Sequence, residues 1–283
     1  MIKRTLLSIL GGLPPSYLRC LPPGLAGRLF VRLFRQDSHK YPALFQAARL
    51  RYAPAIRMTL RPGCVAHEDI AFLGFYETEL TEEIRKRGKA GGLMVDVGAN
   101  YGYFSLLWAD SNPKNSVIAV EASPRNLAPL KHNLHLNNLE QRIEVIAAAA
   151  GNATGKTRFD LGPDDQTGWG MIALNGGDGT LVEVDTVRLD EVLAARSIDR
   201  IDVLKVDAEG ADLLVLEGCE SLLKRTAIGN IYFERNIERQ QRLGIGDDTI
   251  LEFLKSKGYS VQPMDNVGVE FHAQPSGAGS RVG

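Results

Sequence analysis

The sequence predicts an α/β fold in which a mostly parallel sheet carries helices on both faces. Between residues 91 and 262, short apolar runs alternate with segments of helical periodicity, a pattern typical of parallel sheets. In the stretch LMVDVGANYG, three apolar residues lead to an aspartate, and a glycine-rich turn follows. The second run, VIAVEA, leads to a glutamate. Because such sheets bind ligands beyond the carboxyl ends of their strands, these acids mark the predicted site.

Each element of this core carries its own local signal. The predicted strands are short apolar runs, at residues 93–98, 117–122, 143–150, 202–210 and 230–235 and in the later run YSVQPM. One predicted helix begins at about Gly102, and a second follows Ser123, which is expected to cap it, with Pro124 in the first turn. Two more helices are predicted at about 211–225 and 248–257. The runs TRFDL (157–161) and LVEVDTV (181–187) flank a Gly- and Asp-rich loop and predict a hairpin-type excursion from the sheet.

Composition and charge divide the chain into three regions. We assign residues 1–90 to a basic extension of helical and hairpin structure that includes a lid over the cofactor. Residues 91–262 are assigned to the catalytic domain, and 263–283 to a flexible tail that ends rich in Gly, Ser and Pro. Residues 1–61 contain eleven Lys or Arg and one acid, so they carry +10 and the remainder carries −11. Three scattered cysteines argue against a disulfide framework or a structural zinc, and favour a reducing cytoplasm.

The segment GLAGRLFVRLFRQ predicts a basic amphipathic helix, because Arg28, Arg32 and Arg35 recur three and four residues apart among apolar residues. Two readings are open: the helix docks on the main domain with its arginines in water, or it contacts an anionic membrane surface. The first residues lack the long apolar region and cleavage site of a secretory signal. No run approaches the 18 apolar residues of a membrane span. We expect a cytoplasmic location, with peripheral membrane contact as the alternative.

The turn after the first strand indicates which cofactor is bound. Gly98 and Gly102 bracket the turn, but a dinucleotide would require a glycine where Asn100 stands, and Asp96 would repel a diphosphate. A cofactor with a positively charged head reverses the sign, because its ammonium and sulfonium groups favour a nearby carboxylate. Glu121, at the end of the next strand, is suited to accept two hydrogen bonds from a ribose diol. These residues predict S-adenosylmethionine.

Three blocks resemble the FkbM-type methyltransferases: DVGANYGYFSLL, VIAVEASPRN and DVLKVDAEGADLLVLEGCESLL. The family pattern is D-V-G-A-N-x-G, then E-x-x-P, then K-x-D-x-E-G followed by a helix and L-x-G, and GFYETELTEEI (74–84) resembles its upstream element. The resemblance covers about residues 50–262, and the K-x-D-x-E-G block is its most specific part. Ser123 departs from the Asn or Asp that is frequent in the family.

The resemblance implies a class I methyltransferase (Rossmann-like) fold, S-adenosylmethionine as donor, and usually O-methylation of sugars or secondary metabolites. Glu77 is suited to meet the ammonium of the donor from a helix that, with Tyr76, covers the cofactor; the alternative is a solvated acid at a helix start. The predicted cofactor-binding residues are Glu77, Asp96, Gly98, Asn100, Gly102, Tyr103, Phe104, Glu121, Ala122, Asn126 and Asp207.

Lys205, Asp207 and Glu209 alternate along a strand, so their side chains face the same way. We expect the two acids at the strand mouth, where one can serve as the base that a hydroxyl acceptor needs, and Lys205 deeper, neutralising one of them; the alternative is a structural ion pair that only fixes the loop. Glu234, which ends the next strand, is a second candidate base. A divalent metal on Asp207, Glu234 and Asn236 is a further alternative, but Lys205 would oppose the cation, and we predict no metal.

Other residues receive less weight. His132 and His135 are assigned to a solvated helix face and His67 to a surface turn, whereas Trp169 either stacks on the acceptor or is a hydrophobic anchor. The leading function is O-methylation of a small-molecule or glycan hydroxyl. The alternatives are a metal-dependent O-methyltransferase, an N-methyltransferase of small molecules, an NAD(P)-linked oxidoreductase and a binding protein without activity. The acidic core, which lacks a basic–aromatic stripe, argues against nucleic acid.

Overall fold

The computed structural model describes residues 11–173, 179–264 and 268–277 of the 283-residue chain. In its described part, from residue 11 onward, the N-terminal region contains two 3₁₀ helices, Pro15–Cys20 and Arg35–Lys40, four α-helices and a short antiparallel pair of strands. In chain order these are α1 (Pro23–Leu33), α2 (Pro42–Gln46), β1 (Ala48–Arg49), β2 (Arg57–Met58), α3 (Val65–Leu73) and α4 (Thr78–Gly88). The predicted helical and hairpin extension is therefore present.

The remainder of the chain alternates strands and helices. The elements are β3 (Leu93–Val97), α5 (Tyr103–Ser111), β4 (Ser116–Val120), α6 (Pro124–Leu136), β5 (Ile143–Ile146), β6 (Ala149–Ala150), β7 (Gly155–Asp160), β8 (Met171–Ile172), β9 (Leu181–Val187), α7 (Leu189–Ala194), β10 (Ile201–Val206), α8 (Asp212–Glu217), α9 (Glu220–Lys224), β11 (Ile228–Glu234), α10 (Ile237–Arg242), α11 (Thr249–Ser256), β12 (Tyr259–Pro263) and β13 (Glu270–Pro275).

The central sheet has seven strands in the order β12-β13-β11-β10-β3-β4-β5. The pairs from β11 to β5 are parallel, whereas β13 runs antiparallel to both of its neighbours. The order reverses at β3 and β10, so the carboxyl ends of these two strands form the crevice in which such sheets bind ligands. This topology confirms the class I methyltransferase (Rossmann-like) fold.

Alternate residues of the sheet pack into two separate cores. On one face of the sheet, Met94 and Val203 pack in a core with α4, α5, α6 and the N-terminal region. On the other face, Val95 and Leu204 pack in a core with α7, α8, α9 and α11. This is the period-two alternation of a strand covered on both faces. Because Phe30 of α1 belongs to the first core, the N-terminal region packs as part of it. Among the described helices, none combines the length and the apolar character that crossing a bilayer requires.

The tail prediction is wrong for residues 270–275. These residues form β13, which lies between β11 and β12, with Phe271 opposite Phe233 and Ala273 opposite Ile231. The segment EFHAQP is short and half polar, so its local pattern does not predict a strand. It forms one because it pairs with β11, which is distant in the chain. Residues 265–267 and 278–283 lie outside the described residues.

Two further predicted elements are divided. The third strand ends at Ile146, because Ala148 N–H turns back to the carbonyl of Ile146 at 3.1 Å, and Ala149–Ala150 instead pair with β9 in a second, four-stranded sheet. The predicted hairpin is confirmed within that sheet, since β7 and β9 pair antiparallel. The helix predicted at 211–225 is split into α8 and α9 at Gly218, where a Cβ would lie 2.2 Å from the carbonyl oxygen of Gly151.

Candidate active site

The glycine turn after β3 brings two strand ends into contact. Gly98 has φ +74°, and a Cβ there would lie 2.1 Å from the carbonyl oxygen of Asp207. Gly102 has φ +89°, and a Cβ there would lie 2.7 Å from Leu130 Cδ1 of α6. Because both positions need a left-handed backbone and have no room for a side chain, only glycine fits. Asn100, between them, also has a positive φ of 51°.

Glu121 fixes this turn to the next strand. Its Oε2 accepts a hydrogen bond from Asn100 N–H at 2.7 Å, and its Oε1 accepts from Ser123 N–H at 2.8 Å and from Asn126 Nδ2 at 3.1 Å. The carboxylate is buried, and burial raises its pKa. Ser123 occupies the N-cap position of α6 but makes no side-chain cap hydrogen bond, so the expected serine cap is absent and Glu121 instead binds its backbone N–H.

A first cavity opens above the ends of β3 and β4. Its walls include small apolar residues at 148–150 together with Phe159 and Ile172, and a loop containing Thr167 and Gly168 closes it from above. Asn126 Nδ2 donates to the carbonyl of Thr167 at 2.9 Å and holds this loop in place. The predicted site residues that line the cavity are Gly98, Asn100, Glu121, Ala122, Asn126, Asp207 and Glu209.

Asp96 was predicted to bind the cofactor, but the structure places it beneath the glycine turn. Its side chain is fully buried: Oδ2 accepts from Ser105 Oγ at 2.6 Å, and Oδ1 lies 3.6 Å from Lys205 Nζ. No described cavity includes Asp96 in its lining. The prediction that Asp96 contacts the cofactor is therefore corrected. The reason is geometric, since Asp96 is the fourth residue of a five-residue strand and the turn covers it.

Lys205 is the cation that compensates this buried carboxylate. Its Nζ lies 3.3 Å from Asp207 Oδ2 and donates to the carbonyls of Val97 and Gly98. Burial opposes the charged form, but the Asp207 and Asp96 carboxylates outweigh it and raise the pKa of Lys205. Lys205 is therefore protonated and acts as an anchor for Asp207, and it is not itself a base.

Three carboxylates meet at the mouths of β10 and β11. Asp207, Glu209 and Glu234 each place an oxygen within 4.8 Å of the others. Burial and the Asp207 carboxylate raise the pKa of Glu234 to about 7, and the same two causes raise that of Glu209 against the opposing guanidinium of Arg239, with which Glu209 forms an ion pair. Like charges at this separation favour a shared proton.

Glu77 approaches the cluster from the N-terminal region. It stands at the start of α4 with a left-handed backbone, φ 42°, a conformation that costs energy for a residue other than glycine. Burial and the Asp207 carboxylate raise its pKa to about 8. Glu77 therefore stands at a helix start, but it is partly buried and faces the site, so it is not the solvated acid of the alternative prediction.

Two further cavities join the first at Asp207. The second lies under the N-terminal region. Its aromatic lining residues are His67, Tyr76, Tyr101, Tyr103, Phe104 and Trp169, and its lining also includes the predicted site residues Gly98, Asn100, Lys205, Asp207, Glu209 and Glu234. The third is lined by Tyr76, Glu77, Lys205, Asp207, Tyr232, Glu234, Glu270 and Phe271. Asp207 is thus reachable from three sides, and it stands where ligands of separate cavities would meet.

Two predicted cofactor residues have mainly supporting contacts. The hydroxyl of Tyr103 accepts from Tyr76 N–H at 3.3 Å and lies 3.0 Å from Thr81 Oγ1, so it joins α5 to α4. The ring of Phe104 lies 5.4 Å from Lys205 Nζ, a favourable arrangement for a cation over an aromatic face. Both residues also line the second cavity.

The metal set considered from the sequence is not assembled. Asn236 Oδ1 accepts from Arg239 N–H at 3.3 Å and caps α10. Glu209, in place of Asn236, completes the group with Asp207 and Glu234. Two cations, Lys205 and Arg239, already face these carboxylates.

His67 is a second residue whose predicted position is wrong, because it does not lie in a surface turn. It lies in α3, is only 2% exposed, and its ring centroid lies 4.3 Å from that of Tyr101. Its Nδ1 accepts from Arg61 N–H at 3.2 Å, and Nε2 lies 3.4 Å from Thr167 Oγ1 in the covering loop. Burial lowers its pKa to about 4, so the ring is neutral. The spacing of His67, Ile70 and Ala71 on one helix face was the available signal.

Two smaller predictions concern exposed residues. His132 and His135 are exposed on α6, as expected. Trp169 is 47% exposed, so it is not an anchor in the core, and its ring lies 5.9 Å from the Arg239 guanidinium. It therefore remains available beside the second cavity.

Comparison with known families assigns the chain. Residues 96–261 match the family model described as the Methyltransferase FkbM domain. The chain belongs to the FkbM methyltransferase family. The match covers more than half of the 283 residues and contains the last two residues of β3, the turn, Glu121 and the K-x-D-x-E-G block.

Relatives of this FkbM-family chain include two named methyltransferases. Methyltransferase sdnD of Sordaria araneosa is 29% identical over 155 residues, 45% of this chain and 60% of the relative. The 31-O-demethyl-FK506 methyltransferase FkbM of Streptomyces tacrolimicus is 29% identical over 160 residues, 47% of this chain and 61% of the relative. The chain thus spans about three-fifths of the length of these relatives. A solved Methyltransferase FkbM from Methylobacillus flagellatus KT aligns with a TM-score of 0.45 and 15% identity, covering 85% of this chain and 60% of that chain.

Proposed function

We propose that this FkbM-family chain transfers a methyl group from S-adenosylmethionine to a hydroxyl group of a sugar, glycan or secondary metabolite. The observation that carries the proposal is the position of Asp207, where a cavity with nucleoside-binding character meets a cavity lined by acids and aromatic rings. One cavity is suited to the donor and the other to the acceptor.

The residues of the first cavity fit the donor. The buried Oδ1 of Asn126 has no hydrogen-bond partner in the described structure, and such an atom is costly unless a ligand supplies a donor. The lining contains the carboxylates of Glu121, Asp207 and Glu209 and no lysine or arginine. A cationic nucleoside with ribose hydroxyls suits this lining, whereas the diphosphate of NAD(P) would be repelled. Glu121 and Asn126 would hold the nucleoside, and Gly98 and Asn100 would hold its amino-acid portion.

S-adenosylmethionine supplies an electrophilic methyl carbon, and the protein must align the acceptor, exclude water and take up a proton. Glu234 is suited to hold the hydroxyl proton, because its pKa of about 7 lies near the pH at which a base is both ionised and effective. Asp207, fixed by Lys205, orients the acceptor beside it. The covering loop around Thr167 restricts access of water to the first cavity.

The charges around the acceptor cavity favour a neutral hydroxyl compound. Asp207, Glu209 and Glu234 face two cations, Lys205 and Arg239, so an anionic reacting group would gain nothing there. The exposed ring of Trp169 offers a face on which a sugar or ring can pack. The name of the Streptomyces tacrolimicus relative, a 31-O-demethyl-FK506 methyltransferase, describes methylation of an oxygen and supports this class of reaction.

A metal-dependent O-methyltransferase is the second candidate, because Asp207, Glu209 and Glu234 form a group of metal-compatible geometry. Oxygen ligands of this kind suit magnesium. Turnover should be unchanged by EDTA if Lys205 and Arg239 supply the positive charge, and lost on chelation and restored by Mg²⁺ if a metal does. Methylation of an amine is distinguished by the product, because a methyl ether is neutral whereas a methylated amine binds a cation exchanger.

Isothermal titration calorimetry with S-adenosylhomocysteine and with NADH tests the donor site. We expect micromolar binding of S-adenosylhomocysteine, no binding of NADH, and at least about tenfold weaker binding in Glu121→Ala, since that change removes the acceptor of three hydrogen bonds. The matched control, Glu183→Ala, alters an exposed residue of β9. Tight binding of NADH, or equal affinity in the two variants, would contradict the assignment.

A further inference from the structure

Helix α1 is attached to the protein by one face and presents a mixed apolar and basic face to solvent. Ala26 and Phe30 are buried on the inner side, and the Phe30 ring lies 4.8 Å from that of Phe72 in α3. On the outer side Leu25 is 39% exposed and Val31 is 51% exposed. This exposure is unusual, because Leu25 and Val31 are among the few large apolar residues that the described structure leaves open to water.

Two arginines lie on the same outer side. Arg28 and Arg32 are exposed, and no described acidic residue lies within ion-pair distance of either. Arg35, by contrast, pairs with Asp69 at 2.7 Å. Described residues 11–61 contain nine Lys or Arg and one acid, so the surroundings reinforce this positive charge.

This combination matches the surface of an anionic bilayer. Apolar side chains such as Leu and Val gain by entering the headgroup boundary, while adjacent arginines bind lipid phosphates. Both readings that the sequence left open therefore hold for different faces of one helix: the inner face docks on the core, and the outer face has the chemistry of membrane contact.

The position of α1 relative to the site is also informative. A groove of about 370 Å³ runs between α1 and the start of α4 and is lined by Gly24, Gly27 and Val31 on one side and by Tyr76 and Glu77 on the other. A Cβ at Gly27 would meet nothing within 4 Å, so the groove is open along the helix. Tyr76 and Glu77 also line the third cavity at the carboxylate cluster. A membrane bound to the outer face of α1 would therefore lie close to the candidate active site.

We propose that the outer face of α1, formed by Leu25, Arg28, Val31 and Arg32, binds the surface of an anionic phospholipid bilayer. Docking there holds the groove between α1 and α4 close to the membrane. This contact does not require methyl transfer, so it is measured independently of the proposed function.

Co-sedimentation of the full chain with vesicles tests the proposal. We expect binding to phosphatidylcholine vesicles that contain phosphatidylglycerol, weak binding to phosphatidylcholine alone, and loss of binding at high salt. Arg28→Glu/Arg32→Glu should weaken binding more than tenfold, because each basic side chain at the surface contributes appreciably. Leu25→Ser/Val31→Ser should weaken binding while leaving its salt dependence. The control Lys131→Glu/Lys255→Glu makes the same change in charge at exposed lysines of α6 and α11 and should bind as the wild type does.

Three results with vesicles would overturn the proposal: no binding by the wild type, equal binding to both vesicle compositions, or equal losses in the arginine and lysine variants. A change from dimer to monomer in Arg28→Glu/Arg32→Glu, seen by light scattering without vesicles, would assign the face to a second copy of the chain and would equally overturn it. Calorimetry with S-adenosylhomocysteine on the same preparations shows whether each variant is folded. It also separates failure of membrane binding from failure of the proposed donor site.

Discussion

Asp96 of β3 and Lys205 of β10 lie opposite each other on neighbouring strands, and their side chains form an ion pair of 3.6 Å beneath the glycine turn. Both side chains are almost completely buried. Lys205 also reaches upward to Asp207, so one buried cation connects the interior of the sheet to the candidate base cluster.

Removing one partner of this pair should be costly. Lys205→Met leaves the Asp96 carboxylate buried without compensation, and we expect the free energy of unfolding to fall by about 3–5 kcal/mol. Asp96→Asn/Lys205→Met should recover much of that loss, because neither charge remains. Urea denaturation of the two variants measures both values, and Lys131→Met, at an exposed lysine, is the control. Equal stability of Lys205→Met and wild type would show that Asp96 is not ionised.

Asp207 should matter for turnover more than for donor binding. We expect Asp207→Asn to keep the affinity for S-adenosylhomocysteine within a few fold and to reduce turnover by about 100-fold or more, because Asp207 orients the acceptor beside Glu234 and a misplaced acceptor can cost about 100-fold in rate. Labelled methyl transfer and calorimetry on one preparation give the two numbers. Asp185→Asn, at an exposed site on β9, serves as the comparison. Unchanged turnover would remove Asp207 from the reacting groups.

The pH dependence should report Glu234. Burial and Asp207 favour the protonated form and raise its pKa to about 7, and only the ionised carboxylate accepts a proton. The value of kcat/KM should therefore rise as pH increases through about 7 and reach a plateau above it. In Glu234→Gln this rise should disappear and the remaining rate should be low. A rise that persists in Glu234→Gln would assign the titration to another member of the cluster.

Glu77 should make stability depend on pH in a defined direction. Its pKa in the folded protein is about 8, above the 4.5 of an ordinary glutamate, so the folded state binds its proton more tightly than the unfolded state does. The stabilisation is complete below about pH 4.5 and is lost as pH rises through about 8. Glu77→Gln, which cannot ionise, should lose less stability than the wild type between about pH 5 and pH 9, as urea midpoints would show. Parallel losses in both proteins would refute the assignment.

His67 should act by holding the covering loop. His67→Ala removes its contacts with Arg61 and Thr167, and we expect several-fold weaker binding of S-adenosylhomocysteine with little change in kcat at saturation. Because burial keeps the ring neutral, with a pKa of about 4, the effect should be independent of pH between about 6 and 9. His67→Gln should restore part of the affinity, whereas His135→Ala, at an exposed residue, should have no effect. A pH-dependent loss would point to proton transfer by His67 instead.

The local patterns of the sequence predicted most of the sheet. Apolar runs located β3, β4, β10, β11 and β12, and the alternation of strands with helices predicted the parallel arrangement that the strand order confirms. The glycines at 98 and 102 were predicted to form a tight turn, and both have the left-handed backbone that favours glycine. These features are readable because backbone geometry repeats every two residues in a strand and every 3.6 in a helix.

The tertiary structure alone decided how deeply each acidic side chain is buried and which distant segments pair as strands. Asp96 and Glu121 were both predicted to contact the cofactor from the ends of neighbouring strands. Asp96 instead pairs with Ala119 inside the sheet and lies under the turn against Lys205, whereas Glu121 follows β4 and lines the first cavity. Glu209 joins Asp207 and Glu234 while Asn236 caps a helix, and the weakly patterned segment 270–275 becomes a strand between β11 and β12. The sequence by itself determined the family and the strand ends at which acids gather. Which acids face the cavities depends on contacts between residues far apart in the chain, and no local periodicity contains that information.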